Sequence, residues 1–216
     1  MKVKAIIFDM DGVLIDSEQM HIQSGMDVLG KLGVKLTQED IEQLLGMTDM
    51  DAYGYVIKKY GIAKKPMDLG DEREGIYLKM AEESLGTFPN ATWLLKQLFG
   101  KYTLALTTSG SLLTVNQMFQ RFGWKKYFKV VVTREDVRNG KPDPEPYIKT
   151  IQMLGLKPSE CIVVEDSLHG IESAKAAGAM VIAVTHTIPE EQIAQHTVKP
   201  DQIAHNLKEV LEKLPN

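Results

Sequence analysis

One cysteine in 216 residues, Cys161, rules out an intrachain disulfide and a thiolate metal cluster. Its setting, Cys161-Ile162-Val163-Val164, reads as a small core residue inside a buried strand. Basic runs are also missing. Lys58-Lys59 and Lys125-Lys126 are isolated pairs, and the formal net charge is −4, so the sequence offers no basic face for nucleic acid. No apolar stretch reaches the ~18 residues that a membrane span requires. The N-terminus enters an apolar run without a signal-peptide pattern, so a cytoplasmic location is expected. Repeats and low-complexity tracts are lacking as well. What is present is 44% hydrophobic and 25% charged, the composition of a globular chain with a real core. The length fits one large domain, or a domain plus a smaller one.

The apolar run Val3-Lys4-Ala5-Ile6-Ile7 predicts a buried strand. It leads into Phe8-Asp9-Met10-Asp11-Gly12-Val13, with two carboxylates where that strand must end. Asp is a poor strand former, and Gly12 lets the backbone turn sharply. In an open parallel sheet, ligands bind outside the carboxyl ends of the strands. One carboxylate can attack there while its neighbour handles the proton. Asp-Gly between apolar runs is also a hairpin signal, but Val13-Leu14-Ile15 does not alternate and Asp16-Ser17-Glu18 looks like a helix start.

Further strands are predicted at Thr103–Thr107, Lys129–Thr133, Cys161–Val164 and Val181–Val184. Helical patterns fall between them near Ala91–Phe99, Leu112–Phe122, Pro144–Leu154 and Leu168–Ala177, with a last helix near Leu207–Leu214. Such alternation predicts an α/β fold, a Rossmann-like parallel sheet flanked by helices. The gap before Thr103 far exceeds a crossover of about a dozen residues. An α-helical cap domain inserted at residues 17–85 accounts for it, leaving 1–16 plus 86–216 as the catalytic core. Four helices are expected in the insert: the first through Met20 to Leu32 and stopped by Gly33, the next opened by Thr37-Gln38-Glu39-Asp40, then Asp49–Tyr60 and Leu69–Ser84. An insert with two short connections, near Leu14–Ser17 and Leu85–Pro89, is built to act as a lid.

Two more acids, Glu165 and Asp166, follow the strand at Cys161. Asp166 could merely cap the next helix, but with Asp9 the pair also makes a hard-oxygen site suited to Mg²⁺. Thr107-Thr108-Ser109-Gly110-Ser111 places hydroxyls and a glycine ahead of a helix N-terminus, which suits phosphate and equally suits capping by Ser109 or Ser111. In Gly140-Lys141-Pro142-Asp143-Pro144-Glu145-Pro146, three prolines stiffen a loop that presents one cation, Lys141. Trp93 and Trp124 read as packing residues. His186, His196 and His205 are too scattered for a metal site and receive no role.

The ordered set Asp9-x-Asp11-Gly-Val, Thr108 after a strand, Gly140-Lys141-Pro142 and Glu165-Asp166-Ser167 resembles the four motifs of the haloacid dehalogenase superfamily. The insert resembles the helical cap of its β-phosphoglucomutase-like phosphatase branch. The resemblance implies that Asp9 takes the phosphoryl group as an aspartyl phosphate. It makes Asp11 the general acid and base, and Lys141 the charge balance. Thr108 and the backbone N–H of Ser109 would bind the phosphoryl group. Asp9, Asp166 and the backbone carbonyl of Asp11 would ligate Mg²⁺, with Glu165 acting through water. In the insert, His21 matches a hinge-side gating histidine, and Lys79 is a candidate phosphate anchor.

The expected activity is a Mg²⁺-dependent phosphatase of a small phosphorylated metabolite, such as a sugar phosphate. A sugar phosphomutase is the alternative. Mutases of this branch usually carry an Arg after Gly-x-Ser/Thr in the cap. Here Gly46-Met47-Thr48-Asp49 puts an anion in that place, which would repel a second phosphate. A receiver-type phospho-aspartate switch is the non-enzymatic alternative, but such domains lack the helical insert and a second Asp two residues past the acceptor. No nucleic-acid or membrane partner is expected. A monomer is compatible with the sequence, which leaves the oligomeric state open.

Overall fold

The structure, a computed structural model, describes residues 2–44 and 49–215 apart from the side chains of Glu42 and Asp49. In chain order, β1 (Ala5–Phe8) and β2 (Ile15–Asp16) precede four helices, α1 (Glu18–Lys31), α2 (Gln38–Leu44), α3 (Asp49–Tyr60) and α4 (Pro66–Ser84). β3 (Gly86–Thr87), α5 (Ala91–Leu98), β4 (Thr103–Thr107), α6 (Leu112–Phe122) and β5 (Phe128–Val132) come next. The chain ends with α7 (Glu145–Leu154), β6 (Cys161–Glu165), α8 (Leu168–Ala176), β7 (Met180–Val184), α9 (Glu190–Gln195), β8 (Gln202–Ala204) and α10 (Leu207–Lys213). Two compact units result: Met1–Ser17 with Gly86–Asn216, and Glu18–Leu85.

The larger unit is built on a six-stranded sheet in the order β5-β4-β1-β6-β7-β8. Every pairing in it is parallel. β1 is buried along its whole length, as its unbroken apolar sequence requires of a strand covered on both faces. The chain winds outward from β1 to β4 and β5, then returns to β6 on the opposite side. That reversal puts the topological switch point at β1, so its carboxyl end opens into the crevice where ligands bind in such sheets. One core cluster joins Ile7, Val163 and Val181 of the sheet to Tyr147, Ile151 and Ile171 of the helices. Each fully buried aliphatic side chain there contributes about 1.5–3 kcal/mol.

Departures from expectation have local causes. β8 was not foreseen, because its three residues at the sheet edge carry too little apolar pattern to register. Trp93 is 38% exposed instead of packed, because α5 buries Ala91, Leu94, Leu95 and Leu98 and turns position 93 away from that face. Trp124 is fully buried, and its indole N–H donates to Thr92 Oγ1 at 3.0 Å.

In the smaller unit, α4 packs against α1 and α3. Val28, Tyr53 and Leu69 form its core, flanked by Leu32, Ile57 and Ile76. Thr37 opens α2 through reciprocal hydrogen bonds with Asp40. The same buried carboxylate accepts from Tyr55 and Tyr60 and pairs with Lys59 at 2.7 Å. These partners hold Asp40 well below the usual carboxylate range, the Lys59 and Tyr60 hydrogen bonds being the largest causes. α4 starts at Pro66, three positions before the expected Leu69, because proline suits the first helical turn and Asp68 accepts from the backbone N–H of Lys65. Gly46, Met47 and Thr48 lie outside the described residues, as does the Asp49 side chain. No helix among the described residues is long and apolar enough to cross a membrane.

Candidate active site

β1 stops at Phe8, and the backbone N–H of Asp9 still reaches Val164 O at 3.0 Å, so the turn to the site begins from a fixed point. Met10 O then accepts from both Leu14 and Ile15, and Gly12 N donates to Ile15 O. Gly12 has φ +76°, and a Cβ built there would fall 1.8 Å from Asp166 Oδ2. Only glycine fits, both for its dihedral and for the close approach of Asp166. The tight loop puts Asp9 and Asp11 in one turn at the end of the central strand. Asp9 is 6% exposed. Asp11 Oδ1 accepts from Ser17 Oγ at 2.6 Å.

Lys141 reaches this turn from the proline-rich loop. Its Nζ lies 2.6 Å from Asp9 Oδ1 and 2.6 Å from Glu165 Oε1, and it sits over the Tyr147 ring at 5.1 Å. Several bonds stiffen the mount: Glu145 accepts from the N–H groups of Arg138 and Asn139, and Ser173 Oγ donates to Asp143 O. Among the described residues, nothing donates to Asp9 Oδ2. Glu165 is fully buried and accepts five hydrogen bonds: from Lys141, Tyr147 OH, the N–H groups of Asp166 and Ser167, and Ser167 Oγ. Asp166 does not cap α8. Ser167 does, its Oγ accepting from Gly170 N. Asp166 is therefore left for the site, where Thr187 Oγ1 donates to its carboxylate and its carbonyl.

At the end of β4, Thr108 is buried and its Oγ1 accepts from Gly110 N at 2.9 Å. Ser109 is exposed, and Ser111 is the residue that caps α6, accepting from Thr114 N. A Cβ on Gly110 would lie 3.2 Å from Thr108 Oγ1 and 3.7 Å from Asp11 Oδ2, so this turn and the Asp11 turn are close neighbours.

Burial raises the Asp9 carboxyl to about 7, with Glu165 and Asp11 pushing the same way against the Lys141 ammonium. Burial likewise lifts Asp166 well above the ordinary range, helped by Glu165 and Asp9. For Lys141, burial disfavours the charge, but Asp9 and Glu165 outweigh it and keep the amine protonated. Burial opposes the charge on Glu165 too, and Lys141 holds its carboxyl below the usual value. Asp9, Glu165 and Asp166 each offer a carboxylate oxygen within 4.8 Å of the others. One ammonium does not offset three buried acids. This all-oxygen donor set fits a hard divalent cation.

Of the residues singled out in the sequence, the structure brings together Asp9, Asp11, Lys141, Thr108, Glu165 and Asp166. His21 and Lys79 belong to the helical unit and line separate cavities, each ≈ 580 Å³. His21 stacks on Tyr77 at 4.5 Å and shares its cavity with Arg73, whereas Lys79 is exposed on α4 beside Met26 and Asp27. Sequence reasoning missed Ser17, Tyr147, Thr187 and His186. Only Tyr147 had an available signal, since it ends the proline-rich segment carrying Lys141.

The chain matches the haloacid dehalogenase-like hydrolase family over residues 6–184. It is 29% identical to the phosphorylated carbohydrates phosphatase of Thermotoga maritima, covering 97% of this chain and 100% of that one. It is 28% identical to the fructose-1-phosphate phosphatase YqaB of Escherichia coli, covering 83% and 95%. A solved structure from Thermotoga maritima, provisionally assigned as a β-phosphoglucomutase, superposes with a TM-score of 0.77 at 26% identity, covering 99% and 100%. The family match runs from within β1 to the end of β7 and takes in every group of the acidic cluster. This protein therefore belongs to the haloacid dehalogenase-like hydrolase family.

Proposed function

We propose that this chain is a phosphatase of small phosphorylated metabolites, sugar phosphates foremost, acting through an aspartyl phosphate on Asp9. The carrying observation is the buried Asp9 carboxylate at the switch point, one oxygen bound to Lys141 and the other free of donors among the described residues, with Asp11 in the same turn. In this reading Asp9 Oδ2 attacks phosphorus, forming the P–Oδ2 bond as the ester P–O bond breaks. Asp11 gives its proton to the leaving oxygen. It then takes a proton from the water that attacks phosphorus and releases Asp9. Thr108 and the Ser109 N–H hold the transferring phosphoryl, and Lys141 balances its charge.

Asp9, Asp166 and the Asp11 carbonyl are the groups that would hold a divalent cation, Mg²⁺ in this reading, with Glu165 reaching it through water. When bound, that cation supplies positive charge to the phosphoryl oxygens. Lys141, itself held by Glu165, keeps Asp9 in place. In this reading residues 17–85 are a helical cap domain, and 1–16 with 86–216 are the catalytic core. The names of the relatives support phosphorylated carbohydrates as the substrate class.

A panel of phosphorylated metabolites, assayed for phosphate release as kcat/KM, tests the reading. The expected result is turnover of sugar phosphates that stops in excess chelator and in Asp9→Asn. Unchanged turnover in Asp9→Asn, or full activity in chelator, overturns it.

A further inference from the structure

We infer that His186 is a positioning residue that clamps the aspartate-bearing loop of the site. This rests on the function proposed above and extends it to a side chain with no role so far. His186 follows β7, at the carboxyl edge of the sheet. Its Nδ1 lies 3.0 Å from Gly12 O. A carbonyl can only accept, so Nδ1 carries the hydrogen. One face of the ring stacks on Phe88, centroids 4.0 Å apart and planes 18° from parallel. Phe88 is itself tied to the same loop, its N–H donating to Leu14 O at 3.1 Å. The neighbours of His186 are anchored as well. Thr185 N donates to Ala204 O of β8, and Thr187 Oγ1 holds both the carbonyl and the carboxylate of Asp166.

Residues 185–187 thus grip three segments: the 9–12 turn, the chain at Phe88, and the Asp166 loop. The grip matters most at Gly12. Glycine loses more conformational freedom on folding than any other residue, and here it must hold a positive φ against Asp166. Gly12 N is held by Ile15 O and Gly12 O by His186. Gly12 N lies in the Asp11–Gly12 peptide and Gly12 O in the Gly12–Val13 peptide, so the two bonds hold both planes and, between them, the Gly12 dihedrals. The Asp11–Gly12 plane sets where the Asp11 carbonyl points, and the clamped Gly12–Val13 plane next to it keeps the permissive glycine from letting it swing. Burial lowers the basicity of His186, which suits a neutral ring with a single N–H at Nδ1. His186 does not touch the reacting atoms.

Three variants separate the two contacts. His186→Phe keeps a ring to stack and removes the donor. His186→Asn keeps an N–H near the position of Nδ1 and removes the ring. Phe88→Leu keeps apolar bulk and removes the stacking face. The readouts are kcat and KM on a sugar phosphate, Mg²⁺ affinity of the metal-free protein by calorimetry, and amide exchange over residues 10–15. In His186→Phe, kcat should fall and Mg²⁺ binding weaken, each ~10–100-fold, as expected when a group orienting a ligand is lost. KM should stay within about 2-fold, because substrate contacts are untouched. Exchange over 10–15 should accelerate, with the protein still folded. His186→Asn should recover most of the loss, and Phe88→Leu should fall between.

Wild-type kcat, Mg²⁺ affinity and exchange in His186→Phe would overturn the inference. So would equal losses in His186→Phe and His186→Asn, which would make the ring's bulk the relevant property. If the wild-type chain hydrolyses no phosphoester, the proposed function fails separately, and Mg²⁺ affinity with exchange over 10–15 still decides the clamp.

Discussion

Replacing Lys141 with methionine tests how the site tolerates its buried acids. The ammonium lies 2.6 Å from both Asp9 and Glu165, and none of the three side chains is more than 9% exposed. Methionine keeps the length and apolar stem, so the lost quantity is charge. Removing one partner of a buried ion pair costs about 3–5 kcal/mol. A stranded carboxylate can limit that cost by taking up a proton. Asp9 already titrates near 7, so the newly stranded group is Glu165. Protonating a glutamate of ordinary pKa costs about 3.7 kcal/mol at pH 7 and about 1 kcal/mol at pH 5.

In the wild type, the lowered Glu165 value contributes stability above its unfolded pKa, and this is lost as pH falls through the folded value. In the variant the folded value is raised instead, so the deficit is largest at neutral pH. Lys141→Met should therefore lose ~3–4 kcal/mol at pH 7 and only ~1 kcal/mol at pH 5. Urea unfolding in chelator measures this. Tryptophan emission is the probe, since Trp93 and Trp124 both lie in the sheet-containing unit. A loss under ~1 kcal/mol at pH 7, or an equal loss at both pH values, would refute the account.

Further outcomes follow from contacts in both units. A Cβ at Gly170 would fall 1.8 Å from Glu165 Oε1, so Gly170→Ala should cost ~1–3 kcal/mol by thermal or urea unfolding and cut turnover at least tenfold. Gly25→Ala, in an open stretch of α1, should stabilise by ~0.5–1 kcal/mol and serves as the control. Mg²⁺ binding near pH 7 should release protons, because Asp9 and Asp166 must ionise from raised values, and affinity should weaken as pH falls. Calorimetry in buffers of different ionisation enthalpy reads this, and zero release with a flat pH profile from 6 to 8 counts against it. In the helical unit, the lowered Asp40 value stabilises above its unfolded pKa, and that contribution disappears as pH falls through the folded value. Asp40→Asn should remove that acid sensitivity, followed by near-ultraviolet circular dichroism of the tyrosines.

The amino-acid order alone determined the strand-helix alternation and the helical segment between residues 17 and 85, and it singled out Asp9, Asp11, Lys141, Glu165 and Asp166, which the fold brings together. Those features are local: apolar runs, turn-forming residues and charges placed at the ends of runs. Burial of β1 followed directly, since Ala-Ile-Ile-Phe has no polar side to present to water. Other features needed the folded chain. Nothing in the sequence separates Asp166 as a cap from Asp166 as a site acid until Ser167 takes the cap. Tyr147, Ser17, Thr187 and His186 carry no spacing signal, because their partners are brought close only by the sheet order. His186 is 174 positions from Gly12 along the chain, and they meet because β1 and β7 flank β6 in one sheet. His21 and Lys79 carry little sequence signal of their surroundings, and only the folded helices show that His21 stacks on Tyr77 while Lys79 lies beside Met26 and Asp27. Periodicity and turn chemistry act over a few residues, whereas a site assembled from five strand ends depends on the order in which those strands pair.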